Sequence, residues 1–118
     1  VTCHYPVIIV PPECFDEQAA RDVRDLTAAL VDRGSRKLIF DLTRVTRIDV
    51  CGQGVLIGAK WRLDGYGERP AVVAEPGQDH VLGPMARSGL LPHLDIYESV
   101  DDAIAGLTGT AEGTDRAA

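Results

Sequence analysis

Apolar positions along this chain alternate between short unbroken runs and stretches of helical spacing. Val7-Ile8-Ile9-Val10, opened by Pro6 and closed by Pro11-Pro12, has the β-branched character of a buried strand. The preceding "VTCHY" has room for a short edge strand at most. From Asp16 the spacing turns helical. Ala19, Val23, Leu26 and Leu30 recur every three or four residues, and Arg21, Asp22, Arg24 and Asp25 take the other face. Asp16 is the expected N-cap and Gly34 the expected stop.

"KLIFDL", Lys37 to Leu42, is a continuous apolar run of strand length, as a central strand covered on both faces requires. In the "TRVTRIDVC" that follows, Val45 and Ile48 are expected to turn inward from a loop. Gly52 is then expected to open a second helix with Leu56, Ala59 and Leu63 as its core stripe and Gly65 and Gly67 at its end. "PAVVAE", Pro70 to Glu75, reads as another buried strand. A third helix covers part of Gln78 to Ser88. Pro84 either sits in the first turn of a helix starting near Gly83 or kinks a longer one, and Gly89 is the stop. "DIY" is a short strand, and the S-x-x-D spacing of Ser99 to Asp102 caps a last helix.

This alternation of strand and helix predicts an α/β fold with parallel neighbours joined by right-handed crossovers. Residues 1–108 are expected to form one domain. Residues 109–118, part of "TGTAEGTDRAA", have little to bury and are expected to be a disordered tail. A length of 118 residues with 45% hydrophobic content supplies one two- or three-layer core.

A net charge of −6 and ten scattered arginines with no basic stripe argue against nucleic-acid binding, which depends on cations neutralising phosphates. No window reaches the roughly 18 apolar residues of a membrane span, so no membrane insertion is expected. The N-terminus has no basic region of the signal-peptide kind. Cys3, Cys14 and Cys51 are odd in number and lack C-x-x-C spacing, which points to reduced thiols and a cytoplasmic protein rather than a disulfide or zinc scaffold.

Candidate chemistry concentrates in "RIDVCGQGVLIGA", Arg47 to Ala59. "GQGVLIG" suggests a dinucleotide turn, with Glu75 near the expected acidic position. Its spacing is instead G-x-G-x-x-x-G, and the segment Thr43–Cys51 intervenes where a phosphate-gripping turn must follow its strand at once. No G-K-[ST] follows, so no cofactor is expected. Cys51 at a helix start is either a candidate nucleophile or a packed thiol. A phosphatase-type loop would need an arginine where Ile57 stands, and nothing marks His4, His80 or His93 as a base. Asp41, Asp49, Asp101 and Asp102 do not have metal-ligand spacing. Trp61 either covers the sheet edge or offers a partner an aromatic anchor. No catalytic residue and no metal ligand emerge.

The order of elements and the phrase "KLIFDLTRVTRIDVCGQGVLIGA" together resemble the STAS family, and within it the bacterial anti-sigma factor antagonists. The resemblance runs from Val7 to Leu107 and includes "SGLLPHLDIYESVDDAI". "PPECFDEQ" stands where the family has a G-E-L-D turn, with Asp16 matching its aspartate. The implied fold is a small mixed, mostly parallel sheet with about four helices. The implied partner is an anti-sigma factor that is also a serine kinase.

In that family the helix start reads D-S-S-G, and its first serine is phosphorylated to release the partner. Here the matching positions are Asp49, Val50, Cys51 and Gly52, so Val50 occupies the phosphoacceptor position and the usual off-switch is missing. Gln53 also replaces the common leucine. The resemblance implies a partner-binding surface of Asp16, Asp49, Val50, Cys51, Gly52, Gln53 and Gly54. It leaves Thr43 and Thr46 open as other phosphosites, and the oligomeric state open as well. If the fold follows the family, Cys14 and Cys51 lie on neighbouring turns and form a candidate redox pair. Other readings are a STAS subunit bound to a lipid-transport ATPase, a scaffold of a stress-signalling assembly, and a small redox or ligand-binding protein using Cys51.

Overall fold

The computed structural model describes residues 5–109. Strands β1 (Val7–Ile9), β3 (Leu38–Asp41), β5 (Ala71–Val73) and β6 (Asp95–Tyr97) form a sheet in the order β1-β3-β5-β6. Strands β2 (Cys14–Phe15) and β4 (Arg47–Ile48) form a separate two-stranded pair. Every pairing among the described residues is parallel. Helices α1 (Glu17–Asp32), α2 (Val50–Asp64), α3 (Asp79–Arg87) and α4 (Val100–Thr108) connect or follow the strands, and a 3-10 turn spans Leu91–His93. The expected small sheet with four helices forms, but the mixed pairing also expected is absent among the described residues, where every strand pairs parallel.

Alternation along the buried strands builds three layers. Leu38, Phe40 and Val72 face α1, α2 and α3, packing on Val23, Leu56, Leu63 and Met85. Ile39, Ala71 and Val73 face the other way, against Ala103, Ile104 and Leu107 of α4. Strand β3 is therefore covered on both sides, as its unbroken apolar run requires. Val45 and Ile48 are buried from the loop, as expected. Among the described residues no helix is long and apolar enough to cross a membrane.

Three expectations need correction. Leu26 faces solvent, because the core stripe of α1 passes through Ala20, Thr27 and Val31. Thr27 tolerates burial by donating its hydroxyl to the Val23 carbonyl at 2.7 Å. Helix α2 starts at Val50, not Gly52, because Asp49 caps it. Helix α3 starts at Asp79 and runs through Pro84, so Pro84 is not in a first turn near Gly83. Buried Gln78, just before α3, ties that start down. Its side chain donates to the carbonyls of Leu42 (2.7 Å) and Val45 (3.2 Å) and accepts from the Glu75 amide.

Ser99 caps α4 by accepting from the Asp102 amide at 3.1 Å, as its spacing predicted. Of the expected tail only Gly109 is described, and it ends α4 with φ 71°. The rest of the tail, and all of the proposed edge segment except Tyr5, lie outside the described residues.

Candidate functional site

The pair β2–β4 brings two helix starts side by side. Cys14 aligns with Arg47 and Phe15 with Ile48, so Asp16 and Asp49 each follow one residue later, at the heads of α1 and α2. Glu13 accepts from the amides of Thr46 (2.7 Å) and Arg47 (3.1 Å), and Phe15 accepts from the Asp49 amide at 3.3 Å. Phe15 is fully buried beneath this junction. Strands of two residues carry no periodicity, so the sequence pattern does not report this pairing.

Both aspartates cap their helices. Asp16 Oδ1 accepts from the Ala19 amide at 3.2 Å. Asp49 Oδ1 accepts from the amides of Cys51 (2.9 Å) and Gly52 (3.0 Å). The Ala19 bond, and next the Cys14 thiol, hold the Asp16 carboxyl below its ordinary range. In turn Cys14 Sγ donates to Asp16 Oδ2 at 3.4 Å, and this bond is the main cause pushing the Cys14 thiol up.

The residues after Asp49 divide by direction. Val50 is 77% exposed, and Cys51 is also exposed. Gly52 and Gln53 are buried. They shape the turn from inside, whereas Asp16, Asp49, Val50, Cys51 and Gly54 are open to solvent at least in part. Gln53 Oε1 accepts a short hydrogen bond from the Ser88 hydroxyl, which has the Met85 carbonyl 3.2 Å away as a second acceptor. That link between α2 and the end of α3 left no signal in the sequence, where Gln53 reads as a surface residue.

Two grooves flank this helix start. One, about 520 Å3, lies between α1 and α2 and has Cys51 and Gly54 along it. The other, about 350 Å3, lies between α2 and the α3 end, where Val50, Ile57, Trp61, Leu90 and His93 line it. Trp61 is 68% exposed, so it presents its ring to this groove instead of covering the sheet edge. Thr43 and Thr46 have engaged hydroxyls: Thr43 donates to Asp41 Oδ1 at 2.7 Å and Thr46 to the Glu13 carbonyl at 3.3 Å. His80 Nε2 lies 3.2 Å from the Val45 carbonyl. Cys14 and Cys51 are both free thiols.

The model of the STAS domain family matches residues 3–103. No curated protein matches the chain. Among solved structures, an anti-sigma factor antagonist from Mycobacterium paratuberculosis superposes with a TM-score of 0.76 at 22% identity, covering 86% of this chain and 85% of that one. The anti-sigma factor antagonist SpoIIAA in its unphosphorylated form gives 0.75 at 20% identity, covering 92% and 93%. A sulfate transporter family protein from Wolinella succinogenes gives 0.72 at 18% identity, covering 95% and 92%. At these identities the likeness is one of fold.

Proposed function

The chain belongs to the STAS domain family, and from that premise we propose that it is a non-catalytic, cytoplasmic protein-binding regulator of the anti-sigma factor antagonist type. It docks the Asp49–Gly54 turn, the exposed side of α2 and the neighbouring Asp16 turn onto a serine-kinase-like anti-sigma factor.

One observation carries this reading. Val50 stands 77% exposed at the rim of a turn whose other residues are fixed by caps and packing. An exposed valine at a helix start contributes nothing to the core, while an apolar side chain there suits a contact that excludes water. It also has no hydroxyl. Phosphate at this position would bring roughly −2 charge and oppose desolvation against a partner. Val50 thus holds the rim in the binding-competent form, and control of this regulator lies elsewhere than in phosphorylation of the turn.

Capture experiments with the immobilised protein test the reading. An anti-sigma factor with a serine-kinase fold, retained by the natural chain and lost with Val50→Asp, is the expected result. Retention of a transporter ATPase instead, or equal retention by Val50→Asp, overturns it.

A further inference from the structure

The groove between α1 and α2 concentrates positive charge on a chain whose net charge is −6. Arg21 and Arg24 line it from α1 and Arg62 from α2, against one carboxylate, Glu17. The intrahelical pairings of these arginines are loose. Arg21 Nη2 lies 3.4 Å from Glu17 Oε2 and Arg24 Nε lies 3.9 Å from Asp25 Oδ1, all four side chains being more than half exposed. Pairs of that kind contribute little and leave guanidinium donors available. No hydrogen bond or ion pair engages Arg62 among the described residues.

Between these cations the groove wall is made of small side chains and, at Gly54 and Gly58, of backbone without a side chain. A Cβ added at Gly54 or at Gly58, one turn further along α2, meets nothing within 4 Å. Each such glycine costs a helix interior about 1 kcal/mol relative to alanine, and the fold makes no packing demand at either position. What the pair provides is close approach for another chain. Glu17 and Arg21 also line the hollow beside Asp16 and Asp49.

We infer that this groove takes an acidic segment of a protein partner, laid along Gly54 and Gly58 with carboxylates on Arg24 and Arg62. Arginine forks match carboxylates in a two-point geometry that fixes register as well as charge. A polyanion such as nucleic acid fits less well, since its phosphates would extend past three arginines onto an acidic surface. The inference rests on the protein-binding reading above and supplies the partner's chemistry. It does not depend on the Val50 turn.

The test uses a fluorescein-labelled, alanine-rich helical peptide with a stripe of glutamates, and the same peptide with glutamines. Titrated into the full chain at low salt and followed by anisotropy, the glutamate peptide is expected to saturate and to bind about tenfold tighter than its glutamine counterpart. Added salt weakens it. The double variant Arg24→Glu/Arg62→Glu, and separately Gly58→Leu, which fills the groove, each lose about tenfold in affinity. Arg33→Ala, just past the far end of α1 and on neither groove, leaves it unchanged. All these positions are exposed or face open space, and a circular dichroism melt verifies each fold. Equal binding of the glutamine peptide, or undiminished binding by both groove variants, overturns the inference. So does displacement of the peptide by a lower concentration of single-stranded oligonucleotide, or a dimer of this chain that Arg62→Glu dissolves. Failure of the Val50→Asp capture experiment alone leaves these peptide results standing, so the two readings fail separately.

Discussion

Gly52 rests directly on the carbonyl of Phe15. A methyl group at Gly52 would lie 2.5 Å from that oxygen and 3.0 Å from the Phe15 ring and Ile48 Cγ1. The neighbouring backbone is itself held, since the Asp49 amide donates to the same Phe15 carbonyl at 3.3 Å. Glycine at this helix start is thus a packing requirement of the β2–β4 junction. It lets α2 approach the chain that carries Asp16, and so brings the two caps onto one rim.

Gly52→Ala and Gly54→Ala should therefore act in opposite directions. The first forces a methyl into backbone and is expected to destabilise by about 1–3 kcal/mol. The second adds a methyl in open space and is expected to stabilise α2 by about 1 kcal/mol. Urea denaturation of the two variants measures this. Two shifts of the same sign would mean that helix propensity, not the Phe15 contact, governs the turn.

Asp49 has two separable jobs, a cap and a charge. Asp49→Ala removes the acceptor for the Cys51 and Gly52 amides and is expected to cost about 1 kcal/mol of stability. Asp49→Asn keeps an oxygen in place and should recover most of that loss. If the carboxylate also meets the partner, Asn will still bind more weakly than the natural chain. Paired denaturation and titration calorimetry separate the two effects, and full affinity in Asp49→Ala removes this residue from the docking surface.

How far the sequence could be read followed the range of the forces involved. Caps at Asp16 and Ser99 are local chemistry and were readable from spacing. The strands through Ile39 and Val72 were readable because burial on both faces leaves unbroken apolar runs. Thr27 and Gln53 leave no apolar signal because each is polar by type yet buried, with the Thr27 hydroxyl bonded to the Val23 carbonyl and the Gln53 amide oxygen to Ser88. The pairing of Phe15 with Ile48 and the two grooves along α2 arise between segments distant in sequence, where no periodicity reports them.

The Gln53–Ser88 bond should behave as a coupled pair. Ser88→Ala removes the donor to the Gln53 amide oxygen, which is buried with its residue, and is expected to cost about 1–2 kcal/mol. Gln53→Leu puts an apolar side chain of similar size in this buried position and, combined with Ser88→Ala, should cost less than the two separate losses added. A double-mutant cycle is expected to give a coupling above about 0.5 kcal/mol. Additive losses would show that the bond contributes nothing.

Asp16 and Cys14 make opposite predictions at the two ends of the pH scale. The folded-state value of Asp16 lies below its ordinary 3.8, so its contribution to stability is present above that range. It is lost as pH falls through the lowered value. Asp16→Asn, which still accepts from Ala19, should flatten the acid side of the stability profile. Cys14 is raised above its ordinary 9.0, chiefly by its bond to Asp16, so the thiol form is favoured in the fold. That contribution holds at lower pH and is lost as pH rises through the raised value. Asp16→Asn should then speed alkylation of Cys14 by iodoacetamide near pH 8, read by peptide mass spectrometry. An unchanged rate would mean that the thiol is not governed by Asp16.

On the proposed reading, Val50→Ser should create a phosphorylation switch at this turn. The position is exposed at the first turn of α2, so a serine hydroxyl there is open to a kinase and need not break any bond of the fold. A phosphate at a helix N-terminus meets a favourable dipole, so the turn should survive the modification. Its added charge, rather than unfolding, is what would weaken the partner. Incubated with the captured kinase and ATP, Val50→Ser is expected to gain one phosphate at the turn and then lose about tenfold or more in partner affinity. The natural chain should gain none there. Thr43 and Thr46 should also stay unmodified, because their hydroxyls are committed to Asp41 and the Glu13 carbonyl. Mass spectrometry locates the phosphate. Stoichiometric phosphate on Thr43 or Thr46 of the natural chain would show that the switch has moved to the loop before α2 and has not been lost.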